Sequence, residues 1–141
     1  MTAAAGVYDN SPANSSGELE VLVKASAALY PGVGIVSDAG YAKVAVLATG
    51  LTTLGALKSV KTITGGASDG LVKAVVETSY GPTGLRTYAY ANQGDIAQAD
   101  LPCVVYWTDN VTVQKSSSGA SRAGRAFSLD ADGRVRIAFD Q

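Results

Sequence analysis

Short runs of alternating apolar and polar residues, each ended by a corner rich in Gly, Asp or Asn, constrain the fold of this chain most strongly. In VYWTDNVTVQK (105–115) the alternation continues on both sides of an Asp-Asn pair. In RAFSLDADGRVRIAF (125–139) it continues on both sides of Asp-Ala-Asp-Gly. Alternation with a period of two is typical of strands that bury one face, and such corners are typical of hairpin turns. The C-terminal third therefore predicts two hairpins.

The same pattern is present earlier in the chain. ELEVLVKA (18–25) predicts a strand, although Leu22 interrupts its polar face. ALYPGVGIVSDAGYAKVAVL (28–47) predicts two strands around a turn at 37–40, because Ser, Asp and Gly favour turns. Further strands are predicted on both sides of the loop GGASDG (65–70).

Two segments predict less regular structure. Residues 48–60 fit either a short helix or a loop, since Gly50 and Gly55 disfavour a helix. Residues 95–102 predict one helical turn with Asp95 as its N-cap. Together these patterns predict a mainly β fold, a small β-barrel or sandwich of short antiparallel hairpins with at most one or two short helices.

The first 17 residues differ in composition from the rest of the chain. They are small and polar, with one charged side chain at Asp9. Such a segment buries too little apolar surface to offset the entropy lost on ordering. We therefore expect a flexible N-terminal arm over 1–17 and a single β-rich domain over 18–141. At up to ~3.3 Å per residue, the arm is long enough to reach a neighbouring subunit.

The composition argues against several functions. The 141 residues include no histidine and one cysteine, Cys103. This removes the commonest general base and metal ligand, any intrachain disulfide and any Ser-His or Cys-His nucleophile pair. The net charge is −1 without a cluster of Lys and Arg, so we expect no nucleic-acid binding. We also expect no membrane span and no signal peptide, hence synthesis in a cytoplasm.

Three local patterns resemble functional motifs and have simpler structural interpretations. Asp109 and Asn110 lack a partner carboxylate for acid–base chemistry and are predicted to form a turn. DADG (130–133) begins like a calcium loop, but its twelfth position is Gln141 instead of Glu. GLTTLGALKS (50–59) resembles a phosphate loop, but Leu57 stands where glycine must precede Lys-Ser.

Two further features concern single side chains and their environment. Cys103 lies in an apolar run and is predicted to be a buried small hydrophobe. The arginine group has two interpretations, a solvated strand face with acidic neighbours or an interface; it comprises Arg122, Arg125, Arg134 and Arg136. We predict no catalytic, cofactor-binding or metal-binding residues, and no enzymatic activity.

Two long segments together carry a likeness to a known family. ALYPGVGIVSDAGYA (28–42) combines an Ala-rich strand, a Tyr-x-Gly corner and an Asp-x-Gly-Tyr turn. IAQADLPCVVYWTDNVTVQKSSSGASRAGRAFSLDADGRVRI (96–137) combines an Ala-Asp stretch, two hairpins and an intervening Gly-Ala-Ser-Arg loop. With these segments the chain resembles the capsid cement, or head decoration, proteins of tailed bacteriophages. It departs from their pattern at Pro102, where Gly is more usual, and matches loosely over 48–84.

The resemblance implies a β-rich domain without catalysis that binds the outside of a phage head. We expect a structural virion protein, made in the bacterial host cytoplasm, that stabilises an assembled capsid by bridging major capsid protein subunits. Its expected partners are the major capsid protein and itself, as a homotrimer. No cofactor, nucleic acid or membrane is implied.

Two other functions remain open from the sequence. One is another virion component, such as a tail-tube or baseplate part. The other is a small carbohydrate-binding β-domain whose aromatic platform would draw on Tyr30, Tyr41, Tyr80, Tyr88, Tyr90, Tyr106 and Trp107. Tyr106 and Trp107 are adjacent on one strand and are predicted to point to opposite faces, so they do not share a platform.

Overall fold

The computed structural model describes residues 17–81 and 84–139, whose regular secondary structure is β-strand except for one short 3-10 turn. The predicted all-β fold is therefore confirmed, whereas residues 1–16 of the predicted arm lie outside the described residues. The strands are β1 (Glu18–Leu22), β2 (Ala28–Leu29), β3 (Gly34–Asp38), β4 (Tyr41–Val44), β5 (Thr52–Leu57), β6 (Ile63–Thr64), β7 (Lys73–Glu77), β8 (Tyr80–Gly81), β9 (Gly84–Leu85), β10 (Tyr88–Asn92), β11 (Cys103–Trp107), β12 (Thr112–Gln114), β13 (Arg122–Leu129) and β14 (Val135–Phe139). A 3-10 turn covers Gln98–Asp100.

The N-terminal half forms a five-stranded antiparallel sheet in the order β1-β7-β5-β3-β4. The sheet curls, because Val23 just after β1 forms a parallel bridge with Ala42 on β4. Lys24 N–H donates to the Ala42 carbonyl at 3.0 Å beside it. The curled sheet encloses a core of buried aliphatic side chains, which are Val23, Leu29, Val33, Ile35, Ala42, Leu57, Ala74 and Val76.

The C-terminal half is a closed barrel in the order β10-β12-β11-β13-β14. Four of its pairings are antiparallel, and β10 closes it by pairing parallel with β12. Closure leaves no unpaired strand edge in this sheet. Its interior is filled around Trp107, whose ring lies edge-on to Tyr90 with centroids 5.2 Å apart.

Buried contacts join the two halves. Trp107 Nε1 donates to Thr53 Oγ1 on β5 at 2.8 Å, and the Tyr90 hydroxyl donates to the Gly32 carbonyl at 3.0 Å. Gly34 lies directly under the indole, where an added Cβ would be 2.3 Å from the Trp107 ring. The halves are therefore held together by both packing and hydrogen bonds.

The structure corrects the predicted helix or loop at 48–60, because β5 (Thr52–Leu57) is a strand inside the sheet. Gly55, one of the two glycines that disfavour a helix, lies at a register shift in the pairing of β3 with β5. Gly55 has φ +152°, and a Cβ there would lie 2.2 Å from the Glu77 carbonyl oxygen. Only glycine permits this backbone approach together with this φ.

The predicted N-cap at Asp95 is also wrong. The 3-10 turn begins after Ala97, and the Asp100 carboxylate accepts a hydrogen bond from Ala97 N–H at 2.8 Å. The Asp95 carboxylate instead accepts from Lys115 N–H at 3.0 Å, across the barrel end. A long-range backbone donor has thus replaced the local cap.

Candidate functional site

The two predicted acidic corners are structural turns. Asp109 Oδ1 accepts a hydrogen bond from Val111 N–H at 2.9 Å, which confirms the turn between β11 and β12. Asp130 accepts from Arg136 Nε at 3.1 Å, and Asp132 accepts from Arg134 Nε at 2.8 Å. The carboxylates of the calcium-loop-like segment are therefore engaged by arginines of β14 and its turn.

Cys103 and the lysine of the phosphate-loop-like segment have ordinary structural surroundings. Cys103 is half-buried on β11, and burial raises the pKa of its thiol. A raised pKa lowers the thiolate fraction and hence the nucleophilicity. Lys58 follows β5 and forms a salt bridge with Glu18 on β1.

The aromatic residues do not form one surface. Trp107 and Tyr90 are buried in the barrel core, and Tyr106 is half-buried on the same strand as Trp107. Tyr30 and Tyr80 are exposed, at 47% and 66%. A sugar platform on this chain would have to be built without its tryptophan.

An open groove of about 330 Å³ lies where the two halves meet. Its lining is mainly apolar and includes Pro31, Tyr90 and Val111. Among the described residues that line the groove, Arg134 is the one with a charged side chain, and it is paired with Asp132.

A cluster of polar groups surrounds Gly17, the first described residue. Its carbonyl oxygen accepts hydrogen bonds from Thr78 N–H at 2.8 Å, from the Thr78 hydroxyl at 2.8 Å and from Arg86 Nη2 at 3.2 Å. The same Arg86 nitrogen donates to the Thr78 carbonyl at 2.9 Å. We call this cluster of Gly17, Thr78 and Arg86 the arm base, because the predicted arm joins the sheet here.

Charges around the arm base are paired. Glu18 and Glu77 are direct neighbours across β1 and β7, which would be repulsive if they were alone. Lys58 binds Glu18, and Arg86 Nη1 lies 3.9 Å from Glu77 Oε2. Burial, aided by a hydrogen bond to Glu77, raises the pKa of Tyr88 to about 12.

A short apolar hairpin, β8–β9, stands beside the arm base. Arg86 N–H donates to the Ser79 carbonyl at 2.7 Å, so the residue that binds Gly17 also closes this hairpin. Tyr80 pairs with Leu85, and their side chains are 66% and 54% exposed. Directly paired residues point to the same side of a ladder. We call this apolar pair the hairpin face.

The hairpin is anchored in the core at its other end. Ser79 is fully buried, and its hydroxyl accepts a hydrogen bond from Phe139 N–H at 2.7 Å. The arm base, the hairpin face and the last strand of the barrel are therefore linked through two consecutive residues, Thr78 and Ser79.

Sequence reasoning missed this site. Arg86 lies outside the predicted arginine group and outside the two segments, 28–42 and 96–137, that carry the family likeness. Of that group, Arg134 and Arg136 have acidic neighbours, as one of the two interpretations required. The one local signal was an isolated arginine at the start of an alternating run, which does not identify a partner 69 residues earlier.

Comparisons with known proteins give no further assignment, because no family model, curated protein or solved structure matches the chain. Within 17–81 and 84–139, no three His, Cys, Asp or Glu side chains are grouped so that they could hold a metal ion. Among the described residues, no helix has the length and apolar character needed to cross a membrane.

Proposed function

We propose that this chain is a structural virion protein that binds the outer surface of an assembled phage capsid. It would stabilise the shell by bridging major capsid protein subunits, with no catalytic step. The resemblance to capsid cement proteins motivates this proposal, and it rests on the segments 28–42 and 96–137, which contain β2 to β4 and β11 to β14.

One observation supports the proposal most directly, and it is the anchored arm base. A tether must transmit force to a folded body, and the Gly17 carbonyl is held by three donors from Thr78 and Arg86. The segment before Gly17 is small and polar, so ordering it on a partner surface adds main-chain hydrogen bonds without demanding particular side chains. The folded halves then act as the body that the tether holds on the shell.

The stabilising mechanism is linkage. A protein that binds the closed shell but not its separated subunits stabilises the shell by roughly RT ln(1 + [L]/Kd) per site. Fixing each arm residue costs roughly 1–2 kcal/mol, so only part of the arm should become ordered. Because the binding site is repeated many times over a shell, a modest gain in free energy at each site is sufficient to stabilise the whole shell.

The test is deletion of residues 2–16, which keeps Gly17 and its three donors. We use particles of the phage that encodes the chain, assembled without it, and add back purified protein. The truncated protein should keep its own melting temperature, bind particles more weakly and protect them less against heat. A matched control replaces 2–16 with a Gly-Ser segment of equal length, which separates arm length from arm sequence.

Two outcomes would contradict parts of this proposal. If neither full-length nor truncated protein binds the particles, the capsid assignment is wrong. If both bind and protect equally well, the arm is a passive tail, and the capsid contacts lie in the folded halves.

A further inference from the structure

The segment between β10 and β11 crosses one end of the barrel. In the barrel order β12 lies between β10 and β11, so the chain that joins those two strands passes the end of β12. Asp95 lies at this crossing. Its carboxylate accepts hydrogen bonds from Lys115 N–H at 3.0 Å and from Ser116 N–H at 3.3 Å, directly after β12. We call residues 94–101 the strap.

Most of the strap is exposed and bonds within itself. Ile96 is buried, at 4% exposure, Asp100 and Leu101 are half-buried, and its other residues are exposed. Asp100 N–H donates to the Ala97 carbonyl at 2.9 Å, and Leu101 N–H donates to the Gln98 carbonyl at 3.3 Å. Among the described residues, no backbone group of the strap bonds to the backbone of a strand. The strap therefore does not continue the barrel ladder.

Side-chain hydrogen bonds fix the strap at a few points. Asn92 Nδ2 donates to the Ile96 carbonyl at 2.9 Å, but Asn92 ends β10, where the strap begins, so this bond is local. Lys115 Nζ donates to Asp100 at 3.1 Å, and exposed ion pairs of this kind contribute little. The bonds from the backbone of 115–116 to Asp95 have a charged acceptor, which makes them stronger than neutral ones. Asp95 is therefore the main polar contact between the strap and the strand that it crosses.

The strand beneath the strap is itself weakly paired. β12 has three residues, and its register with β10 and with β11 covers two residue pairs each. By contrast, β13 and β14 pair over five residue pairs. Local opening occurs where few buried apolar contacts and few hydrogen bonds hold a segment. The strap meets both conditions.

We propose that the strap opens as one unit while the other barrel strands stay paired, and that the Asp95 carboxylate holds it closed. Opening withdraws Ile96 from the barrel core. It also uncovers Leu101 and Cys103, which pack partly buried against the same core. The strap is thus a lid over the apolar interior of the barrel. This inference concerns the barrel alone and does not depend on the proposed function.

Cys103 reports the open state, because it is the sole cysteine of the chain and is half-buried when the strap is closed. The labelling rate of its thiol by a maleimide is measured in the full-length protein and in two variants, Asp95→Ala and Asp95→Asn. Burial, together with the nearby carboxylates of Asp100 and Asp95, raises the pKa of this thiol. Each rate is therefore measured over a range of pH and expressed per thiolate.

The two variants should differ in a defined order. Asp95→Ala removes the acceptor of the backbone hydrogen bonds and should raise the labelling rate about tenfold or more. Asp95→Asn keeps an uncharged oxygen acceptor and should raise the rate less. The matched control is Asp132→Ala, because the Asp132 carboxylate also accepts from a backbone N–H, that of Arg134 at 3.1 Å, in an exposed turn of the same barrel. The control should leave the rate unchanged.

Amide hydrogen exchange followed by NMR shows which part of the barrel opens. The N–H groups of Asp100 and Leu101 bond within the strap and not to Asp95. Faster exchange at both positions in Asp95→Ala would therefore show that the strap moves as a unit. The amides of β13 and β14 should keep their protection.

Four results would overturn the inference. Equal labelling rates per thiolate in the parent and in Asp95→Ala would remove the role assigned to Asp95. Equal acceleration by Asp132→Ala would show that the effect is not specific to the strap. Unchanged exchange at Asp100 and Leu101 would contradict opening as a unit, and exchange that accelerates equally in β13 and β14 would mean that the whole barrel opens. If Asp95→Ala does not fold, Asp95→Asn is judged by the same four criteria.

Discussion

The hydrogen bond between Trp107 and Thr53 should contribute strongly to stability, because it joins the two halves in a buried position. Trp107 and Thr53 are 0% and 2% exposed. The Thr53 hydroxyl accepts from Trp107 Nε1 at 2.8 Å and donates to the Arg122 carbonyl at 2.8 Å. Thr53→Val keeps the shape but removes both bonds. A buried polar group without a partner costs about 1–3 kcal/mol, so two such groups predict a loss of about 2–6 kcal/mol.

Urea denaturation followed by tryptophan fluorescence measures this loss, since Trp107 is the sole tryptophan of the chain. With a slope of ~2 kcal/mol per molar urea, the midpoint should fall by about 1–3 M. Thr52→Val is the matched control, because Thr52 is the exposed neighbour on the same strand, and its change should stay within about 0.5 kcal/mol. Thr53→Ser keeps the hydroxyl and should recover most of the stability. Equal midpoints for Thr53→Val and Thr52→Val would refute the contribution assigned to this bond.

Two further predictions concern the last hairpin and the arm base. Gly133 has φ +90° with open space around its Cβ position, so Gly133→Val should cost roughly 1–3 kcal/mol through backbone strain alone, and Ala131→Val in the same turn should cost little; equal melting temperatures would contradict this. The pKa of Tyr88 is raised to about 12, chiefly by burial, so its neutral form adds stability below the unfolded value near 10 that is lost as the pH rises through about 12. Tyrosinate absorbance and denaturation between these pH values should show the effect, and Tyr88→Phe should reduce it but not abolish it, because burial also raises the pKa of Tyr90.

The hairpins were predictable because their determinants are local. Asp109 binds a backbone N–H two residues later, and Gly133 supplies the positive φ of its turn. Turn chemistry and alternation therefore located β11–β12 and β13–β14 without knowledge of the rest. β3 and β4 were found for the same reason.

The remaining features depend on residues far apart in the chain. Gly50 and Gly55 leave the secondary structure of 48–60 ambiguous from the sequence. β5 forms a strand because it pairs with β3 on one side and β7 on the other. β10 pairs in parallel with β12, and the alternation of apolar and polar residues along each strand does not reveal which strands pair. Asp95 reaches Lys115 and Arg86 reaches Gly17, so neither role could be read from neighbouring residues.

The position of the arm base within the fold also bears on how a tether would work. Thr78 binds Gly17 at the start of β1, while the next residue, Ser79, accepts from Phe139 N–H at the end of β14. A force applied to the N-terminal segment would therefore act on the hydrogen bonds between β1 and β7. Through the peptide bond between Thr78 and Ser79 it would also act on the closed barrel. The β1–β7 register covers five residue pairs, so the load would be shared among several hydrogen bonds instead of opening them one at a time. The Arg86 guanidinium donates to the Gly17 and Thr78 carbonyls, so replacing this side chain should loosen the segment, while the backbone bond from Arg86 N–H to the Ser79 carbonyl and the two Thr78 donors remain.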